Sequence, residues 1–393
     1  MVAVTSPAPA GGTATPTTPA PDAQAAVDRL FAAGVRGDRA TWDAGTATVD
    51  PAFAGRSALL FTNLQALRPA RLRVRLTGAE QALPSARQAA LGPTARVVQA
   101  QVGWRLAGER SDATSSVWLT LVPGPDGERL AGTDDGSALD APALPLWWLA
   151  PVTRAATGDV TVLTGPGQDA ARWLGLATRA AAEARDHLPT ALRRGWDGRL
   201  VVEVPGDGDD FARVLGATST AYATTAAVTR PEGTTTEAAV RVVVNPAIAQ
   251  DPDAELATTL THEAVHVATR SAASPAPLWA VEGLAEYVAL EAHPGERADE
   301  LAALPTGEPP SRLPADGTFT AGGAEVTAAY AQAWLACKAV AEHRGRSDLG
   351  RFYAALDDGA TVDAAARRTL GVDEGTVVAW WRDAVVRAAA DRG

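Results

Sequence analysis

The charge of this chain argues against an anionic partner, because its 393 residues hold 46 Asp and Glu against 35 Lys and Arg, a formal net charge of −11. No Lys/Arg run is present, and a nucleic-acid-binding surface requires a basic patch, so we expect no binding to DNA or RNA. The single cysteine, Cys337, excludes an internal disulfide framework and a thiolate-rich metal site. Its apolar surroundings predict a buried thiol.

Residues 1–22 form a Pro/Thr/Ala-rich segment that we expect to be a disordered tail. The sequence has no stretch of the ~18 apolar residues that a membrane span requires. The first residues also lack the basic and apolar regions of a signal peptide. Because such tails often tether a domain, we expect the protein outside the cytoplasm, secreted or anchored, although a cytoplasmic protein with a disordered start has the same pattern.

The region 23–140 has the pattern of a small α+β domain. Apolar residues at three- and four-residue steps predict a helical stretch from Asp22 to about Val49. Alternating apolar residues then predict strands over 71–76, 96–106, 115–122 and 128–133. The helical opening and the long hairpins resemble the cone-shaped fold of nuclear transport factor two and of SnoaL-like proteins. That resemblance implies an accessory module for spacing or docking, and it carries no catalytic residues.

The segment 141–158 begins with three prolines within twelve residues, and we interpret it as a linker. After it, the pattern of residues 159–393 predicts a second domain. Strands are expected at 159–164, 199–204 and 239–244, and helices at 169–187 and around 209–215. From residue 253 the pattern is helical. The whole chain is therefore predicted to be α+β, with a sheet lobe and a helical lobe in the second domain and a cleft between them.

The sequence His262-Glu263-Ala264-Val265-His266 lies inside a predicted helix over 253–270. Histidines four residues apart project from one face of a helix, so both imidazoles can bind one metal ion. Glu263 can reach a metal-activated water without being a ligand itself. The alternative is a pair of surface histidines near a glutamate. However, the flanking residues are apolar, and charged groups buried there without a metal would be unpaired.

A catalytic zinc takes three protein ligands and keeps one position for water. The H-x-x-G-x-x-H extension of one zinc peptidase class is absent, since Thr269 and Ala272 occupy its positions. The next helix instead offers Glu282 as the third ligand. Four residues on, Glu286 shares its face and can accept a hydrogen bond from a ligand histidine. His293 is the alternative third ligand.

The two segments HEAVH and W-x-x-E-G-L-A-E-Y together resemble the gluzincins, the thermolysin-like zinc peptidases, and particularly their peptidase MA-like group, over roughly 160–390. The resemblance implies a zinc ion with three ligands: His262, His266 and Glu282. It also implies that Glu263 is the general base and that Glu286 is an acidic partner of a ligand histidine. We expect Gly283 to let the two motif helices approach closely.

Two further residues follow from this resemblance. The strand AVRVVVN, which ends at Asn245, resembles the edge strand along which a peptide substrate lies; an ordinary buried strand is the alternative. The helix with the Y-x-Q sequence makes Tyr330 a candidate hydrogen-bond donor to the reaction's oxyanion; a packing tyrosine is its alternative. The G-x-M-E-N motif of the aminopeptidase branch is absent, so we do not predict N-terminal trimming.

We therefore expect a zinc-dependent peptidase that hydrolyses peptide bonds of a peptide or protein substrate through metal-activated water, with Glu263 as its base. One alternative is a non-catalytic binding or scaffold protein on a peptidase fold, with 23–140 as its working part. A second alternative keeps the zinc and hydrolyses an amide that is not a peptide.

Overall fold

The computed structural model describes residues 21–390, except 49, 137–142, 219–221, 223–224, 236, 305–309 and 321–322. The predicted tail lies outside this part, apart from its last two residues, which begin the first helix. The described residues form helices and two separate sheets, which confirms the α+β class. None of the described helices has the length and apolar character needed to cross a bilayer.

The first sheet is an antiparallel meander in the order β1-β2-β3-β4. Its strands are β1 (Arg71–Gln81), β2 (Arg96–Arg105), β3 (Ala113–Gly124) and β4 (Gly127–Gly132). The helices of this part are α1 (Pro21–Arg36), α2 (Arg39–Ala44), α3 (Pro51–Leu67) and α4 (Ser85–Leu91). The predicted helical stretch is divided because Gly37 takes φ +74° and Asp38 then caps α2 by accepting from the Thr41 N–H. Helix α3 was not predicted.

The described part of the segment predicted as a linker, 143–158, is packed into the fold. It contains α5 (Leu146–Leu149), whose four side chains are all buried, and β5 (Thr153–Thr157), which pairs with the next strand. The Asn63 amide donates to the carbonyls of Trp147 and Ala150, both at 2.7 Å. The linker prediction, which was based on the prolines, is therefore corrected. The apolar run between the prolines is large enough to be buried.

The second sheet has the order β5-β6-β7-β9-β8. Its remaining strands are β6 (Val160–Thr164), β7 (Leu200–Val204), β8 (Ala227–Pro231) and β9 (Val240–Val244), and the helices between them are α6 (Ala170–His187) and α7 (Gly208–Leu215). Strands β6, β7 and β9 are parallel, and the two outer strands are antiparallel to their neighbours. Strand β8 was not predicted. Because β8 covers the outer side of β9, the edge-strand prediction for the strand ending at Asn245 was wrong.

Both faces of the second sheet are buried. Val202 and Val242 face the core formed with α6 and the helical part, whereas Val201 and Val243 belong to a core shared with the first sheet and α5. Burial on both faces explains why these strands are continuous apolar runs. One buried apolar cluster is therefore shared by the regions predicted as two domains, while the second region also has a large cluster of its own.

The helical part comprises α8 (Asp253–Thr269), α9 (Leu278–Ala292), α10 (Arg297–Ala302), α11 (Gly323–Arg344), α12 (Arg346–Asp357), α13 (Val362–Leu370) and α14 (Glu374–Ala390). Helix α9 packs between α8 and α11. A Cβ at Gly283 would lie 2.3 Å from the Ala333 carbonyl oxygen of α11, so the glycine permits the α9–α11 approach rather than the predicted α8–α9 approach. Cys337 is buried on α11, as predicted.

A buried charge cluster joins the two sheets. The Arg241 side chain, 0% exposed, lies 2.9 Å from Glu203 and 3.1 Å from Glu109, and its guanidinium stacks 3.6 Å from the Trp104 ring centroid. Glu109 and Trp104 come from the first sheet and its β2–β3 connection, whereas Glu203 lies on β7. Removing Arg241 would leave both buried carboxylates without this cation, which destabilises a fold strongly.

Glu203 generates a prediction about stability and pH. Burial raises its pKa from 4.5 to about 7, although the nearby Arg241 lowers it. Between these two pH values the folded chain keeps a proton that the unfolded chain has lost, so stability falls as pH rises. We expect Glu203→Gln to remove this contribution, roughly 2–3 kcal/mol between pH 4.5 and 7. Urea unfolding across that range measures it. Exposed Glu80→Gln is the matched control, and equal pH slopes in wild type and Glu203→Gln would contradict the prediction.

Candidate metal centre

Three side chains from α8 and α9 bring their ligand atoms together. The Nε2 atoms of His262 and His266 are 2.9 Å apart, and each lies 3.2 Å from Oε2 of Glu282. Among the described residues, these three form the one His/Cys/Asp/Glu group whose ligand atoms all lie within 4.8 Å of one another. The structure thus brings together the three residues expected to be ligands.

This triangle of atoms fits a zinc ion. Zinc–nitrogen and zinc–oxygen bonds of about 2.0–2.1 Å in tetrahedral geometry separate ligand atoms by roughly 3.3 Å. The observed separations of 2.9–3.2 Å are only slightly shorter. Two imidazoles and one carboxylate are also the donor set of a catalytic zinc site that leaves a fourth position for water.

The turn between α8 and α9 explains how Glu282 reaches the histidines. Helix α8 ends at Thr269. The next residue, Arg270, caps it with a left-handed backbone (φ +52°) that reverses the chain and directs its N–H back to the carbonyls of the last turn. Pro277 immediately precedes α9, and the Asp316 carboxylate accepts from the Leu278 N–H at 2.9 Å. The start of α9 is thereby fixed beside α8, one helical turn before the ligand carboxylate.

Each ligand histidine has a polar neighbour at its second ring nitrogen. His266 Nδ1 lies 2.8 Å from the Ser271 hydroxyl. His262 Nδ1 lies 3.2 Å from a Glu286 carboxylate oxygen, although their angle is not that of an aligned hydrogen bond. Such neighbours orient metal-binding imidazoles. The structure places Glu286 beside the outer ring nitrogen of His262. Ser271 was missed, although its position in the turn directly after α8 was visible in the sequence.

The electrostatics of the site favour a positive charge between the ligands. Burial alone would lower the pKa of His262, but the Glu286 and Glu282 carboxylates outweigh burial and raise this pKa to about 10. Burial would raise the pKa of Glu282, but the imidazoles of His266 and His262 hold it well below its usual range. A protonated imidazole thus neutralises the buried carboxylates, and a bound metal cation would supply the same charge.

Glu263 lies beside the ligand group without belonging to it. Its side chain is 3% exposed, and its Oε2 accepts a hydrogen bond of 2.5 Å from the Thr229 hydroxyl. Thr229 belongs to β8, the strand that was not predicted, so its contact with Glu263 could not be foreseen from sequence patterns. Among the described residues, this carboxylate, one residue from a ligand histidine, is thus held by one hydrogen bond.

Tyr330 and Glu300 complete the surroundings of the ligands. The Tyr330 ring centroid lies 6.0 Å from that of His262. Burial, and after it the negative charges of Glu282 and Glu286, raise the pKa of Tyr330 well above its usual value, so its hydroxyl stays a proton donor. Glu300 on α10 was missed by the sequence analysis. Burial and then the Glu286 charge raise the pKa of Glu300 to about 8, so this carboxyl keeps its proton at neutral pH.

Two candidate residues are not part of this group. The Asn245 amide donates to the Thr225 carbonyl at 2.9 Å, and its oxygen accepts from the Ala247 N–H at 3.0 Å, so this side chain holds a turn. His293, the alternative third ligand, instead lies 2.8 Å from Glu183 on α6. Neither residue belongs to the group of converging ligand atoms.

Comparison of the sequence with protein-family models and with curated proteins finds no match. The chemistry of the site therefore rests on the geometry of its own residues.

The charge of His262 predicts that metal binding depends on pH. Zinc requires neutral imidazole, whereas His262 is protonated in the ion-free protein below its pKa of about 10. Binding must release that proton, so zinc affinity should rise at least about tenfold per pH unit between pH 6.5 and 8.5. Isothermal titration calorimetry in buffers of different ionisation enthalpy measures both the zinc affinity and the number of protons released on binding. His343→Asn, a change at an exposed histidine, should leave them unaltered. A pH-independent affinity would contradict this charge assignment.

Proposed function

We propose that this protein is a zinc-dependent peptidase of the gluzincin type. The observation that supports this most is the convergence of the ligand atoms of His262, His266 and Glu282. Glu263 follows His262 directly in the sequence and is not one of the converging ligands. The order of these residues in the sequence, and the gluzincin resemblance that it carries, support the same proposal.

The proposed reaction divides its steps among these residues. His262, His266 and Glu282 hold the zinc ion, which when bound polarises a substrate carbonyl and lowers the pKa of a water molecule. Glu263 takes the proton of the attacking water and later gives it to the leaving amine. The Tyr330 hydroxyl donates a hydrogen bond to the carbonyl oxygen as that oxygen gains negative charge. The raised pKa of Tyr330 suits this donor role.

We propose that the substrate is a peptide or protein segment that lies along β8. Backbone bonds from Asn245 N to Ala226 O and from Glu232 N to Ala239 O set the alternation of this antiparallel pair. By that alternation, the N–H and C=O groups of Thr229 point away from β9, toward the side of β8 on which no described strand pairs. Thr229 is 3% exposed, so a substrate that pairs there must first displace what covers this side. An extended peptide can pair with an unpaired strand edge. This replaces the substrate-binding role first given to Asn245.

The region 23–140 is proposed as an accessory module for spacing or docking, with the cone-shaped SnoaL-like architecture that its sequence suggests. Its place in the structure supports a close association with the rest of the chain, since Glu109 contacts Arg241 and the Thr114 N–H donates to the Glu232 carbonyl at 2.7 Å. We do not propose a second active site there.

A non-catalytic binding protein is the alternative function that one observation favours. A cavity of about 400 Å³ lies among the β2–β3 connection, the start of β9, the end of α8 and α12, and its lining includes Glu109, Val240 and Tyr353. None of the proposed ligands lines this cavity, and each ligand is at most 2% exposed. Binding in that cavity would need no hydrolysis. Hydrolysis of an amide that is not a peptide is the remaining alternative. A peptide-library assay distinguishes it from the proposed peptidase, because only the peptidase cleaves the library.

The decisive contrast is between Glu263→Gln and Glu282→Ala. The glutamine variant keeps all three ligands, so zinc content should be unchanged while peptide hydrolysis falls at least about a hundredfold, because the amide cannot accept the water's proton. The alanine variant removes a ligand, so its zinc affinity itself should fall steeply. Metal analysis and a peptide-library cleavage assay measure the two effects on the same preparations.

Glu255→Gln is the matched control, because Glu255 is an exposed carboxylate on the same helix. It should keep both zinc and activity. Equal loss of zinc in Glu263→Gln and Glu282→Ala would contradict the base assignment. An activity that Glu263→Gln leaves intact would show that the protein works without this chemistry, which would leave the binding alternative.

A further inference from the structure

We infer that Thr229 is a positioning residue that holds Glu263 in the orientation needed to accept a proton from water. This inference rests on the proposed peptidase function. Thr229 lies on the edge strand β8, whereas Glu263 lies on α8, and their side chains meet between the two elements.

The contact between the two residues is short and buried. The Thr229 hydroxyl donates to Glu263 Oε2 at 2.5 Å and lies 3.3 Å from the Glu263 backbone oxygen. Each residue is 3% exposed, so the contact is shielded from bulk solvent. Hydrogen bonds to charged groups in such surroundings are stronger than those between neutral groups.

Thr229 can hold the carboxylate because it is itself rigid. A threonine side chain has few rotamers in a strand, and β8 is paired with β9 from Ala227 to Pro231. Glutamate, in contrast, has three rotatable side-chain bonds. Within the described residues no other hydrogen bond to the Glu263 carboxylate is seen. The hydroxyl of Thr229 is therefore the group that selects one orientation of this carboxylate.

The backbone of Thr229 faces a different partner. Its N–H and C=O groups point away from β9, toward the buried side of β8 on which no described strand pairs and where the proposed substrate would have to enter, while its side chain points toward α8. One residue thus sets the distance between a bound peptide backbone and the base. A substrate paired with β8 would lie in a fixed register relative to Glu263.

Thr229→Val tests this role, because valine keeps the shape of threonine and removes the hydroxyl. We expect kcat for a cleaved peptide to fall about tenfold, the effect of losing one hydrogen bond to a charged group, with KM and zinc content unchanged. Thr229→Ser restores the hydroxyl and should recover most of the loss. Thr229→Ala serves if valine disturbs folding. Thr164→Val, which removes a buried hydroxyl from β6 in the same sheet, should leave kcat unchanged.

A double-mutant cycle separates positioning from general packing. The shorter side chain in Glu263→Asp should no longer meet Thr229, so adding Thr229→Val should then change kcat little. Full activity of Thr229→Val, an effect on KM alone, or an equal tenfold loss in the Glu263→Asp background would each overturn the inference and leave the peptidase proposal standing. Absence of hydrolysis by zinc-loaded wild type would overturn both.

Discussion

Burial of two imidazoles against carboxylates in one small volume is the constraint on which the rest of this structure depends. His262 and Glu282 are each at most 1% exposed, so their charges must be balanced locally. In the ion-free protein a proton on His262 provides that balance, and its raised pKa records the strength of the surrounding negative charge. A divalent cation would balance the same carboxylates while using the imidazoles as ligands. A bound zinc ion, as proposed, would meet this electrostatic requirement.

The remainder of the fold brings α8, α9 and β8 into fixed relation around that volume. The sheet that carries β8 is packed on both faces, against α6 and the helical part on one side and against the first sheet on the other. Arg241, held between Glu203 and Glu109, ties the two sheets together through buried ion pairs. The amino-terminal region is therefore part of the scaffold that positions Thr229 and the edge strand.

Much of the site was predictable because its signals are local. The spacing of His262 and His266 corresponds to about one helical turn, so both lie on one face of α8. Glu282 lies on the next helix along the chain. Thr229 and Glu300 were missed because both are connected to the site by tertiary contacts, which sequence periodicity does not reveal. Thr229 contacts Glu263, 34 residues away. Glu300 on α10 is near Glu286 on α9. The same limit explains the edge-strand error, since pairing of β8 with β9 is a tertiary choice. Helix α5 was not predicted because it has only four residues and lies between prolines.

The most direct test of the central claim is the metal content of full-length wild type after zinc saturation and dialysis, combined with X-ray absorption at the zinc edge. The account predicts about one zinc per chain, bound by two imidazole nitrogens and by oxygen at about 2.0–2.1 Å, without sulfur. A protein that retains no zinc, or whose zinc shows fewer than two imidazole ligands, would contradict it.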